Sequence, residues 1–288
     1  MQEITHKQLL EAGVHFGHLK KKWNPKMRPY IFMEKKGIHI IDLYKTHDKL
    51  QEAAQALKSI ARSGKKILFI TTKKQGKEIV QQAAKRCNMP YVTERWLGGM
   101  LTNFTTIRKS IKKMQQIEKM LGDTTLENIT KKEKLVLSRE KEKLEKVLGG
   151  IAQLNRMPAA IFAVDILHEH IAISEAKKLN VTTFAMVDTN SDPTSVDFAI
   201  PANDDASKSI EIITNYLTDA IIEGLQERKN DKDELDAARS SEDGEDLPDN
   251  LIRERKYAGD DEEEGGKEDG KKRTAATTKS KRPVTKKR

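Results

Sequence analysis

Two aspartates, Asp165 and Asp188, each end an apolar run, from Ala159 to Val164 and from Thr182 to Val187. The stretch from Phe198 to Asp205 repeats the idea in shorter form. Carboxylates there, with His15, His18, His168 and His170 nearby in the chain, have the chemistry of oxygen and nitrogen ligands for a metal, or of an acid–base pair. The spacing argues against both. Neither histidine pair has the i, i+4 separation of H-E-x-x-H, and nothing places a general base. Asp165, Asp188 and Asp192 read better as caps, because a carboxylate after a strand accepts from free backbone N–H groups. Whether His15, His18, Asp188, Asp204 or Asp205 hold an ion stays open, and no metal or cofactor is assigned.

A nucleotide enzyme needs a phosphate cradle. The turn Thr71-Thr-Lys-Lys-Gln-Gly-Lys77 has one glycine and neither G-x-G-x-x-G nor G-x-x-x-x-G-K-[ST] spacing. A single RNA phosphate suits Lys73, Lys74 and the following helix N-terminus better than a cofactor does; a solvated turn is the alternative. No serine, cysteine or histidine sits in a nucleophile context.

Nucleic-acid signals are stronger. Lys20, Lys21, Lys22, Lys26 and Arg28 interleave with Trp23 and Tyr30, cations for phosphates and rings for sugars or bases. Phe32 reads as core beneath that loop. Glu94-Arg-Trp-Leu-Gly-Gly-Met-Leu-Thr-Asn103 is a second such place, with Arg95 as a phosphate fork and Trp96 as a packing surface. Core packing of Trp96 and an internal pair for Arg95 remain the competing readings.

The elements that must carry these residues follow from periodicity. Thr5 and Gln8 form a capping box opening a short helix that Gly13 closes. The two prolines between Lys20 and Tyr30 keep that segment irregular. Gly37–Ile41 reads as a strand, Leu43 to Ala61 as a helix ending at Gly64, Lys65–Thr71 as a strand, Gln75–Cys87 as a helix and Tyr91–Thr93 as a strand. Helices between strands at this spacing imply right-handed crossovers and a parallel α/β sheet. From Phe104 to Leu148 the rhythm changes. Ile107, Ile111, Met114 and Leu121, then Leu137, Leu144 and Leu148, mark one stripe on each of two helices, an antiparallel hairpin with 12 basic and 7 acidic residues.

Charge sets the outer bounds. The 288 residues hold 53 Lys plus Arg and 44 Asp plus Glu, a net charge of +9, which favours a polyanionic partner. Cys87 is the single cysteine, so an internal disulfide and a cysteine zinc cluster are excluded and a reducing cytosol fits. No apolar run approaches the roughly 20 residues of a membrane span, so no membrane partner is expected. From Lys229 to Gly266 acidic residues dominate, 15 against 6, and from Lys267 the balance inverts, 10 basic against 2. Such blocks bury too little apolar area to offset chain entropy, so residues 229–288 are expected to be disordered.

Several of these stretches together resemble the bacterial small ribosomal subunit protein two family. The matching text is Gly13-Val-His-Phe-Gly-His18, Trp23-Asn-Pro-Lys-Met27, Arg95 to Asn103, Asp165 with His168-Glu-His-Ile-Ala-Ile173, Val187 to Pro193, and Ile200-Pro-x-Asn-Asp-Asp-Ala206. They stand in the family's order across residues 1 to about 225. The resemblance implies a flavodoxin-like parallel sheet flanked by helices, residues 1–103 and 149–228, carrying a protruding coiled-coil hairpin at 104–148. It also implies a structural, non-enzymatic role in translation at the head–body junction of the small subunit. There the family binds small-subunit ribosomal RNA and neighbouring ribosomal proteins and helps recruit the large messenger-binding protein one, in the cytoplasm. Lys20-Lys-Lys22 departs from the family's commoner mixed charge, and the tail from Lys229 exceeds the family's short end. The competing class is an α/β nucleotide-binding module or enzyme using Asp165, Asp188 and His168, and a third is a protein-only adaptor working through the hairpin.

Overall fold

A computed structural model describes residues 4–122 and 130–242. Its centre is a parallel sheet of β4 (Ile67–Ile70), β5 (Tyr91–Val92), β6 (Ala160–Ala163), β7 (Thr182–Val187) and β8 (Phe198–Pro201), in the order β5-β4-β6-β7-β8. β4 and β6 are buried at every position, as strands covered on both faces must be. The cover comes from α2 (Leu43–Arg62), α3 (Lys77–Arg86), α6 (His170–Lys178) and α7 (Ser207–Glu242). One face packs Phe69, Phe162, Phe184, Leu57 and Leu217 together, and the other packs Leu68, Ile70, Ile161, Trp96 and Ile173.

The short helix α1 (His6–Glu11) starts on the Thr5/Gln8 capping box. After it comes a second, antiparallel sheet, β1 (Phe16–Leu19), β3 (Ile38–Ile41) and β2 (Ile31–Lys35), in the order β1-β3-β2. Between β1 and β2 the chain makes 3-10 turns at Lys20–Lys22 and Pro25–Tyr30. The prolines predict irregularity correctly there, but β1 and β2 have no counterpart in the periodicity reading. Phe32 is also corrected: it is 69% exposed, an outward side chain of β2 and not core.

α4 (Phe104–Gly122) and α5 (Lys131–Leu148) lie side by side, joined by Lys113–Glu140 and by Lys141 Nζ to Glu118 at 2.9 Å. Ile107, Ile111 and Met114 of the expected α4 stripe are buried and Leu121 is half-buried, while Ile117, which the stripe did not include, is buried with them. The residues between the two helices, 123–129, lie outside the described set. The chain divides into units of residues 1–235 and 236–288. The tail boundary at 229 moves, because α7 continues to Glu242 and Arg62 Nε pairs with its Asp231 at 3.0 Å. Residues 243–288, which hold most of the expected disordered tail, are outside the described residues.

Candidate nucleic-acid interface

The lysine-rich loop stands on the carboxyl end of the parallel sheet. Thr189, just past β7, holds it twice: its Oγ1 accepts from the His18 N–H at 2.8 Å and its carbonyl accepts from the Asn24 N–H at 2.7 Å. Gly17 is required at this crossing. A Cβ there would lie 2.6 Å from Thr189 Cγ2 and 3.0 Å from the His39 carbonyl, so no larger residue fits. Beside it, Asn203 donates from Nδ2 to the Gly13 carbonyl at 3.1 Å and from its backbone N–H to the Val14 carbonyl at 3.1 Å.

On this support the cations divide. Lys21, Lys22 and Arg28 are exposed. Lys20 is 62% exposed and reaches Glu34 at 2.8 Å. Lys26 Nζ is held by Asp192 at 2.6 Å and Thr194 Oγ1 at 3.2 Å, so it clasps the loop to the turn after β7 while its side chain stays 56% exposed. The Trp23 ring is half-buried, 5.1 Å from the His39 ring.

The second lysine pair splits in the same way. Lys74 faces solvent. Lys73 is corrected as a phosphate ligand: its side chain is 10% exposed, and Nζ lies 2.8 Å from Asp204, 2.6 Å from Asp205 and 3.3 Å from Asp165. Burial opposes its charge, yet Asp204 and Asp205 outweigh that and raise its pKa. A phosphate would have to displace three carboxylates from an already neutralised ammonium.

Around Lys73 the aspartates do what their positions predict. Asp165 Oδ1 accepts from the N–H groups of Leu167 at 2.7 Å and His168 at 3.3 Å, and Asp192 accepts from Thr194 at 3.0 Å. Asp188 binds the Thr189 N–H and hydroxyl, and its Oδ2 sits 2.9 Å from His18 Nδ1. His18 has a raised pKa, the Asp188 carboxylate being the main cause and burial working against it. Burial first, then Asp165 and Asp188, push Asp204 up. Ligand atoms of His18, Asp188 and Asp204 lie within 4.8 Å of one another, a donor set able to hold a divalent cation.

Arg95 is exposed, whereas Trp96 is corrected to a core residue, 7% exposed. Its Nε1–H donates to Glu175 Oε1 at 3.2 Å. Glu175, on α6, also accepts from the N–H groups of Gly99 at 2.7 Å, Leu101 at 3.0 Å and Thr102 at 3.1 Å. Burial would raise this carboxyl, but the ring of donors holds it below the ordinary glutamate value. Glu175 is therefore the residue that shapes the 96–102 loop. Sequence reasoning missed it, since a glutamate inside an amphipathic helix carries no mark of its partners.

A second surface adjoins the basic loop. Leu10, Phe16, Phe32, Met33 and Tyr44, each about half to two-thirds exposed, border a cavity of about 380 Å³. Contiguous exposed apolar surface of this kind marks interaction sites.

The family profile for ribosomal protein S2 matches residues 9–224. The chain belongs to the ribosomal protein S2 family. Among relatives bearing the name small ribosomal subunit protein uS2, that of Cytophaga hutchinsonii is 64% identical over 244 residues, 85% of this chain and 95% of its own length. That of Flavobacterium johnsoniae is 61% identical over 239 residues, 83% and 94% of the two chains. That of Porphyromonas gingivalis is 60% identical over 232 residues, 81% and 83%. The family is structural and not enzymatic, which settles the competition with a nucleotide enzyme. Among the described residues no helix is long and apolar enough to cross a membrane.

Proposed function

We propose that this chain is a cytoplasmic, ribosome-bound constituent of the small subunit that binds small-subunit ribosomal RNA through Lys20, Lys21, Lys22 and Arg28, with Lys74 and Arg95 as further phosphate ligands. The observation that carries it is the mounting of three consecutive exposed lysines on a loop fixed by Thr189 and the Lys26–Asp192 clasp. Preset cations meet phosphates without the entropic cost of ordering a flexible loop. Phosphate contacts supply affinity and orientation with little base reading. Trp23 packs at the foot of the loop and stiffens it.

The apolar groove of Phe16, Phe32 and Tyr44 seats a neighbouring small-subunit protein, the messenger-binding protein one, and the α4–α5 pair serves as the coiled-coil hairpin at 104–148. This reading rests on the exposure of the groove beside the RNA-facing loop. The test of the RNA interface is replacement of Lys20, Lys21 and Lys22 by Ala, with affinity for small-subunit RNA measured across salt concentrations. The log–log slope should fall by about 0.7 to 0.9 for each phosphate that is no longer neutralised. An unchanged slope removes the segment from the interface. For the groove, Phe32→Ser should weaken capture of protein one by assembled subunits and leave RNA affinity alone; equal capture refutes the docking.

A further inference from the structure

The two ends of the parallel sheet carry different sets of charges. At its carboxyl end stand Asp165, Asp188, Asp204, Asp205 and Glu169. At its amino end the cations collect: Lys65 and Lys66 lead into β4, Lys85 closes α3, and Lys177 and Lys178 close α6 before β7. Arg156 belongs there too, in the loop whose Ala159 N–H donates to the Lys66 carbonyl at 2.9 Å. Asp197, the carboxylate just before β8, is already committed to the N–H and hydroxyl of Thr183 at 2.8 and 2.9 Å. A polyanion held by the basic loop at the carboxyl end therefore finds further cations at the opposite end of the sheet, away from where ligands of open α/β folds usually sit.

That end has a shaped cavity. It measures about 280 Å³ and is lined by Lys66, Lys85, Asn88, Tyr91, Gly150 and Gln153 among others, with no acidic residue in its lining. Its walls are fixed. Lys66 Nζ donates to the Asn88 carbonyl at 2.8 Å, holding a residue in the left-handed region at φ 51°. The Tyr91 hydroxyl accepts from Gln81 Nε2 at 3.2 Å. Gly150 lies so close that a Cβ would stand 2.1 Å from the Tyr91 carbonyl and 2.7 Å from its ring. Lys85 has no partner among the described residues.

We infer that this cavity binds one unpaired nucleotide of single-stranded RNA, its phosphate at Lys66 and Lys85 and its base inside against Tyr91, Asn88 and Gln153. Ammonium groups match phosphate, a tyrosine ring offers apolar surface to a base, and two amides present both donors and acceptors to its edge. Only an unstacked base can enter such a cavity, since a duplex keeps its bases paired. The volume, just under the roughly 300 Å³ at which small-molecule sites begin, suits one base and not a dinucleotide cofactor. The inference rests on the RNA-binding reading above and adds a second point of attachment, on the far end of the sheet from Lys74 and Arg95.

Lysine footprinting on the full-length chain tests it. The protein is acylated with and without purified small-subunit RNA, and each lysine's rate is read by mass spectrometry. Lys66 and Lys85 should react at least about tenfold more slowly in the complex, and Gln153→Trp, which fills the cavity, should abolish the protection of Lys85 while leaving that of Lys21. Protection of Lys21 with none at Lys85 overturns the pocket alone; protection of neither overturns the RNA-binding reading itself. Protection of Lys85 that Gln153→Trp leaves intact removes the base from the cavity and refutes the inference. Protection that needs added small-subunit proteins assigns the site to a protein partner, with the same consequence.

Discussion

The two lysine clusters, Lys20–Lys26 and Lys73–Lys77, are nearly interchangeable as text and opposite in structure. In the first, two of the three leading lysines meet no carboxylate among the described residues, and the support beneath them is the neutral pair of bonds to Thr189 with the single Lys26–Asp192 clasp. In the second, Lys73 is enclosed by Asp165, Asp204 and Asp205, and Lys77 Nζ is 3.1 Å from Glu94. A lysine is a better candidate ligand where its side chain stays exposed, as Lys20 does beside its one partner Glu34, than where carboxylates enclose it. The strand ends of an α/β sheet are where aspartates cap helices, so a lysine buried there, as Lys73 is and Lys74 is not, is answered from within.

Substitutions should separate the clusters by stability first. Lys73→Ala leaves a group of buried carboxylates without their cation and should cost about 3–5 kcal/mol in chemical denaturation; a loss under about 1 kcal/mol would place Lys73 with the exposed lysines after all. Trp96→Ala, at the loop read alongside Arg95, should cost a similar amount, about 3–5 kcal/mol, through the cavity it opens. Trp96→Phe should cost less and leave RNA affinity unchanged, which direct titration checks.

Glu175→Gln should cost about 1.5–3 kcal/mol, the worth of hydrogen bonds to a charged acceptor. Because the folded carboxyl is held low, its stabilisation is complete above the ordinary glutamate pKa and is lost as pH falls through the lowered value. The gap between wild type and Glu175→Gln should therefore close on acidification; a gap that widens in acid would contradict the assignment. Smallest of all, Lys74→Ala should change stability by no more than about 0.5 kcal/mol while lowering the salt slope of RNA binding. If its stability loss matched that of Lys73→Ala, the contrast between the clusters would collapse.

How far the sequence was legible follows the range of the interactions. β4, β6 and β7 are continuous apolar runs because both their faces are covered, so the residues declare them. The caps at Asp165 and Asp192 are local, two residues from the amides they bind, and were readable for that reason. β1 and β2 were not, because Phe16, Phe32 and Met33 point outward and break the alternation that marks a half-buried strand. Trp96 and Lys73 were misplaced for one shared reason: their partners, Glu175, Asp165, Asp204 and Asp205, are 79 or more residues away, and spacing is silent at that distance. The family resemblance reached the right family from short motifs without resolving which of their residues face outward.

The bonds that seat β1 and the turn before it, from which the lysine loop departs, join residues 171 and 190 positions apart, His18 to Thr189 and Asn203 to Gly13. During synthesis the loop is among the first segments to leave the translating machinery, and the residues that fix it are among the last of the folded body. Long-range closure of this kind is slow and comes late. A nascent or truncated chain thus carries its lysines on an unset loop, and the surface acquires its shape only once the body behind it is complete. The order of the chain therefore leaves this loop among the last parts of the body to be set.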